Sequence, residues 1–297
     1  MANRFVIEAI QTAAKESSKG RNNVPAKVIP KYPMSMEREY IRITTGYLRL
    51  VNQVVAEFMP QIKAAYFAEK ERNRRHDSLN DVLSAVLAVF PLMNRALDEK
   101  TKQFDLYGKL KKLAAQTQKL SIREWKRVVQ ATLGIDLRDD VFSGELYERM
   151  IDLWVDSNVS LIKTIPSTSL TGMQGIIQNG FVEGKPITRI VEEIQAQYGV
   201  DRRHARLIAR DQMAKLNSNI TQQQHRDAGC SRYRWRTTGD GKVRDGHKVL
   251  DKKEFSWDTP PVVDKRTGRR CHPGQDYQCR CIAIPIFDFD FDTGGEG

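Results

Sequence analysis

The hydrophobic pattern of this chain changes period near Ser231, and that change limits the fold more than any other feature of the sequence. Upstream, apolar residues recur at spacings of three and four, as in Ile41, Tyr47, Leu48, Val51, Val54, Val55 and Phe58. Such spacing lines one face of an α-helix. Downstream, "RYRWRTTGDGKVR" alternates and then meets a Gly-Asp-Gly turn signal, and "KVLDKKEFSW" and "CIAIPIF" are short strand candidates. The pattern predicts an α+β chain, a mainly α-helical body followed by a small β-containing C-terminal unit.

Punctuation divides the helical part. The stretch "SSKGRNNVPAKVIPKYPMS" carries Gly20, Pro25, Pro30 and Pro33 and reads as an extended arm after a short helix over 1–16. A helix over 36–68 is expected to kink or stop at Pro60, and the next stretch, with Asp77 or Ser78 as its cap, to bend or break at Pro91 and Gly108. "SIRE" at 121–124 reads as a capping box opening a helix that Gly134 closes. Further helices are expected from Gly144 to a stop at Pro166, then to Gly180, then to Gly199, and from a cap at Asp201 to Gly229. The resulting segments are an arm over 1–35, a basic helical region over 36–140, a second helical region over 141–230, the β-containing unit over 231–287 and an acidic, loose tail over 288–297.

Charge is distributed unequally. Residues 1–133 hold 24 Lys/Arg and 13 Asp/Glu, a net of +11, whereas residues 134–297 hold 24 of each. Such a basic segment either attracts phosphate backbones through a salt-sensitive force or is a solvated helical face. Its densest run is Lys109, Lys111, Lys112, Lys119, Arg123, Lys126 and Arg127, the candidate nucleic-acid contacts. The longest apolar run, "AVLAVFPLM", falls far short of the roughly 20 residues of a membrane span. The first residues, charged throughout, do not read as a secretory signal, so synthesis and folding in a cytoplasm are expected.

Three of the four cysteines lie in "CHPGQDYQCRC", residues 271–281, close in sequence to His247. His247, Cys271, Cys279 and Cys281, with His272 as a substitute for Cys271, could supply the four soft or borderline ligands of one structural zinc ion. A unit of about 60 residues is short of core and gains most from such a clip. Against this, Cys-x-Cys is not the usual zinc knuckle spacing, and ligands at 279 and 281 share a face only if the backbone bends. A Cys271–Cys279 disulfide and reduced, packed thiols remain open alternatives. Cys230 is expected to be buried, Trp235 to anchor the β unit, and His76, His204 and His225 to be solvated. Arg234, Arg236, Arg244 and Arg280 are expected to pair with Asp240, Asp245 and Asp251.

An ordered set of motifs resembles a known family. It runs from "NVSLIKTIP" through the Arg-rich "ARLIARDQMAKLN" to "YRWRTTGDGKVRDGHKVLDKKEFSWDTPP" and "HPGQDYQCRC". About half the chain, residues 140–287, is similar to phage Mu F-like minor head proteins, also called head morphogenesis proteins, of tailed bacteriophages. The spacer between His272 and Cys279 is longer than in the family's compact His-Pro-x-Cys-Arg-Cys form, and the basic N-terminal half lies outside the resemblance.

The resemblance implies a structural virion protein inside the head near the portal vertex. Its partners would be the portal protein and the inner capsid or scaffold, with viral double-stranded DNA contacted during packaging or ejection. Binding rather than turnover is the expected mechanism: the sequence lacks a P-loop and the His-x-Glu with Pro-Cys-x-x-Cys pair of zinc deaminases. The alternative is a virion-carried, metal-dependent nuclease or other nucleic-acid-processing enzyme using His247 with Asp240, Arg244 and Asp245. A pure assembly factor without DNA contact is a third reading.

Overall fold

The computed structural model describes residues 4–72, 79–138, 142 and 144–288. Their order is α1 (Arg4–Ser17), β1 (Asn23–Pro25), α2 (Met34–Arg72), α3 (Leu79–Leu87), α4 (Phe90–Gln103), α5 (Leu106–Leu133), α6 (Glu145–Val182), α7 (Ile187–Asp227), β2 (Arg232–Arg236), α8 (Asp245–Lys248), β3 (Glu254–Ser256), β4 (Val262–Asp264), β5 (Arg269–Arg270) and β6 (Ile282–Asp288). The chain is mainly helical with small antiparallel sheets near its C-terminus, as the change of period predicts. The expected caps at Asp77 and Ser78, His76 and the tail over 289–297 lie outside the described residues.

Two compact units are formed from interleaved segments. One comprises residues 1–37, 112–154 and 210–297, the other residues 38–111 and 155–209. The second unit is all helical. Val51, Val55 and Ile62 of α2, Val86 of α3, Met93 and Leu97 of α4, Ile177 and Phe181 of α6 and Ile190 and Ile194 of α7 form one buried cluster. The first unit holds the sheet, of strand order β1-β6-β2-β3. In it β6 pairs antiparallel with β2, placing Ala283 opposite Trp235, and with β1, placing Phe287 opposite Val24. The expected arm over 17–35 therefore contributes a strand to the sheet formed near the other end of the sequence.

Several expected boundaries do not occur. Helix α2 runs through Pro60 without interruption. The expected break at Pro91 does occur: α3 ends at Leu87 and Pro91 lies in the first turn of α4, where its missing N–H costs nothing. The break before α5 falls at Asp105, which has φ 50° and accepts a hydrogen bond from the Gly108 N–H through Oδ1 (3.1 Å). No helix starts at Ser121. Its hydroxyl is buried and donates to Gln224 Oε1 (2.9 Å), so tertiary packing uses the group that a capping box would have used. Helices α6 and α7 continue past positions 166 and 199. Asp201 is not a cap: its carboxylate accepts hydrogen bonds from Ser169 (2.8 Å) and Gln197 (3.1 Å). Gly134 and Gly229, with φ 78° and 74°, do close α5 and α7.

The helix end expected near Gly180 does occur, with α6 ending at Val182 and the Lys185 N–H donating to the Gly180 carbonyl (2.8 Å), and Gly180 is a close contact as well. A Cβ there would lie 2.6 Å from Ile190 Cγ1, so α6 and α7 approach too closely for any side chain. Gly180→Ala should cost about 1–3 kcal/mol, read as a lower urea midpoint. Gly172→Ala, in the same helix with nothing within 4 Å, should instead gain up to about 1 kcal/mol.

His225 overturns the expectation of a solvated residue. It is fully buried, 5.0 Å from the Trp125 ring and 5.3 Å from that of Trp257, whose indole N–H donates to His225 Nδ1 (3.1 Å). Burial pushes its pKa down from 6.5 to about 3. Between those values the unfolded chain takes up a proton that the folded chain excludes, so stability rises with pH across the window and is lost as pH falls through it. The slope from this one group is about 1.4 kcal/mol per pH unit. Urea unfolding at several pH values from 4 to 7 should show this dependence weakened in His225→Gln, which keeps an acceptor for the Trp257 indole.

Candidate metal centre

The site is assembled from a one-turn helix and an irregular loop. Helix α8 carries His247 and is closed by hydrogen bonds from the His247 and Lys248 N–H groups to the Arg244 carbonyl (2.9 and 3.0 Å). It lies against β4 because residue 246 is glycine: a Cβ there would sit 2.1 Å from the Val263 carbonyl oxygen. The loop from His272 to Cys281 is fastened to α7. Ser218 Oγ donates to the Pro273 carbonyl (2.6 Å), Asp211 accepts from the Gln278 N–H (2.8 Å), and Gln275 donates to Gln222 (3.4 Å). Gln278 has φ 51°, and residues 279–281 precede β6 as non-strand backbone. This irregular backbone turns Cys279 and Cys281 to the same side, meeting the need for a bend that their spacing imposes.

His247, Cys279 and Cys281 are all buried, and their ligand atoms lie within 4.8 Å of one another. His247 Nδ1 is 3.5 Å from each sulfur. Its other nitrogen, Nε2, donates to Asp276 Oδ2 (2.9 Å). Asp276 is itself buried and also meets Arg244 Nη1 (3.2 Å), Arg269 Nε (3.1 Å) and the Tyr277 N–H (2.8 Å). Trp235, fully buried, packs edge-on to His247 with ring centroids 5.5 Å apart.

The hydrogen bond from Cys281, followed by that with His247, outweighs burial and lowers the pKa of the Cys279 thiol. Cys281 moves up, because its proton is held on Cys279 and because it is buried. Burial opposes charge on His247, but the hydrogen bonds to Cys279 and Asp276 together win and raise its pKa. Asp276 is lowered: burial opposes ionisation and is outweighed by the Tyr277 N–H, His247 and the two arginines.

Of the four metal ligands expected from sequence, three converge. Cys271 is half-exposed, stands outside the cluster, and is pushed up to about 12, first by burial and then by the charge of Asp276. His272 is committed elsewhere: its Nδ1 accepts the Tyr233 hydroxyl (2.8 Å) and its ring packs on Trp257. All four cysteines are unpaired. Asp276 was not among the expected site residues. The available signal was a lone acid between a Pro-Gly turn and Cys-Arg-Cys, but a spacer acid reads equally well as solvated loop.

The arginines meet a mixture of expected and other partners. Arg236 pairs with Asp251 (3.5 Å) and Arg280 with Asp240 (2.8 Å), whereas Arg234 pairs with Glu254 (3.3 Å) and Arg244 with Asp276. Of the acids named with His247 for a nuclease, Asp240 pairs with Arg280 (2.8 Å), and Asp245 is exposed to solvent beside Lys248 (2.9 Å) and is absent from the His247 cluster. In the basic run on α5, Lys109, Lys111, Lys112, Lys119 and Arg123 are exposed. Lys126 lies 3.6 Å from Asp136, and Arg127 serves the fold through Glu124 and the Ile29 carbonyl (both 2.8 Å).

Residues 172–284 match the family described as Phage Mu protein F like protein. An uncharacterized protein of Haemophilus influenzae is 31% identical over 155 residues, 52% of this chain and 33% of that protein. The chain thus spans about a third of that relative's length. No solved structure matches the chain. The matched segment begins within α6 and ends within β6, so it contains α7, the sheet strands β2 and β3 and every residue of the His247 cluster. Over residues 172–284, and so over the whole His247 cluster, the chain is similar to Phage Mu F-like proteins.

Proposed function

We infer that the chain is a structural head protein of a tailed bacteriophage, placed in the virion and acting in head morphogenesis by binding. The observation that carries this reading is the family match over residues 172–284, which takes in α7, β2, β3 and the whole His247 cluster. Among the described residues no helix is long and apolar enough to cross a membrane. The finer reading places the protein inside the head at the portal or inner capsid, with the basic N-terminal half toward packaged DNA or an acidic portal surface.

The charge split supports the DNA version. Lys112, Lys119 and Arg123 are exposed on α5 and have room for phosphate, whereas Arg127 does not. Replacing all three exposed residues with glutamate should reduce affinity for double-stranded DNA at least tenfold in low salt and flatten the salt dependence, because fewer counterions are released. Electrophoretic mobility shift over a salt series reads both effects. No binding by the unaltered protein at low salt would remove DNA as a partner and leave salt-insensitive portal binding as the assembly role. Mass spectrometry of purified virions tests the broader reading: the protein should be a minor component of DNA-filled heads, and its absence from them would overturn a structural head role.

A further inference from the structure

The His247 cluster has the dimensions of a metal site rather than of packed thiols alone. For a zinc–sulfur bond of about 2.3 Å and a zinc–nitrogen bond of about 2.0–2.1 Å, the sulfur–nitrogen edge of a tetrahedron is about 3.5 Å. His247 Nδ1 stands 3.5 Å from both Cys279 Sγ and Cys281 Sγ. A single thiol–imidazole hydrogen bond needs one sulfur at this nitrogen; here two converge on it, both buried. The opposite ring nitrogen meets a buried carboxylate, Asp276 (2.9 Å), which holds a proton on Nε2 and so leaves Nδ1 as the nitrogen that a metal would take from its proton. A metal-bound histidine is commonly oriented in this way. Two thiolates and a neutral imidazole also balance a divalent cation, and this soft and borderline set suits zinc.

The fourth position is the feature that sequence spacing did not suggest. Cys271 stands outside the cluster and His272 is held by Tyr233, so the four-ligand clip expected from sequence is not what the fold builds. His247, Cys279 and Cys281 instead line a pocket, and Cys271 does not. The remaining wall includes Arg210, Lys242, Arg244 and Arg280 against a single carboxylate, Asp240. Arg280 pairs with that carboxylate, Arg244 with Asp276 and Arg210 with the buried Glu37 (3.3 Å), so among the described residues Lys242 is the lining cation that remains to meet an anion.

We propose that His247, Cys279 and Cys281 bind one zinc ion through three protein ligands, with a fourth position open to the pocket and filled by water or a small anion. Asp276 is the positioning residue for His247. The proposal rests on this geometry and is independent of the role in the phage head.

The test uses the full chain. Elemental analysis of the purified protein should find about one zinc per chain, and X-ray absorption at the zinc edge should find two sulfur and two nitrogen or oxygen neighbours. Cys271→Ser should retain the metal, and Asp276→Asn should bind it about 10–100-fold more weakly. Cobalt(II), exchanged for zinc, should give sulfur-to-cobalt charge-transfer bands, and added azide should shift the visible bands as it enters the fourth position. A folded protein that takes up neither zinc nor cobalt would overturn the proposal. Three sulfur neighbours, or metal loss in Cys271→Ser, would replace the open site with a closed clip. Visible bands unmoved by saturating azide would refute the exchangeable position. The absorption measurement needs no variant, so it decides the ligand set even if a cysteine substitution prevents folding.

Discussion

A single buried carboxylate organises the C-terminal unit. Asp276 is almost wholly removed from water, yet it faces His247, Arg244 and Arg269 and takes the Tyr277 N–H. An isolated buried charge would cost several kcal/mol, so its partners are required rather than ornamental. They come from α8, from the strand β5 and from the loop itself, so satisfying this one group fixes three segments that share little regular structure. His247 is oriented as a consequence, and through His247 the positions of the two sulfurs become meaningful.

Around that centre the core of the unit is assembled from aromatic rings. Tyr233 and Trp235 alternate inward from β2, Trp257 packs at a tilt against Tyr233 with ring centroids 4.3 Å apart, and His225 of α7 accepts the Trp257 indole N–H. A sheet of four short strands buries little by itself. It gains from α7, whose His225 meets Trp257 and whose Asp211, Ser218 and Gln222 hold the Pro-Gly loop. The arm contributes as well: β1 covers one edge of β6, protecting a strand that would otherwise offer unpaired backbone groups. The loop that carries Cys279 and Cys281 is thus anchored on α7 and runs directly into β6, whose edge β1 covers.

Helix boundaries were less legible than helix existence, for a consistent reason. Proline, glycine and capping residues act locally, and in α5, α6 and α7 tertiary contacts override them. Ser121 bonds Gln224, Asp201 bonds Ser169, and Gly180 exists to let Ile190 approach. Each of these residues carries a terminator or cap signal that is equally compatible with a role between helices. Similarly, His225 sits in a polar stretch, "TQQQHRD", and nothing in that stretch announces two tryptophans from elsewhere.

By itself the sequence determined the class of the fold, the place where helices give way to strands, and the burial of Trp235 and Cys230, and it brought His247, Cys279 and Cys281 forward as candidates without fixing that they meet. These follow from periodicity, composition and the density of rare residue types, all of which survive without knowledge of distant contacts. Tertiary structure decided that Asp276 is the partner of His247, that Cys271 and His272 stand outside the His247 cluster, and that residues 23–25 complete the sheet. The physical reason is geometric. Ligand membership depends on directions fixed to within about an ångström, and those directions are set by the close approach of α8 to β4 at Gly246, the left-handed backbone at Gln278 and the anchors on α7. None of these is a property of the motif's own residues taken in order.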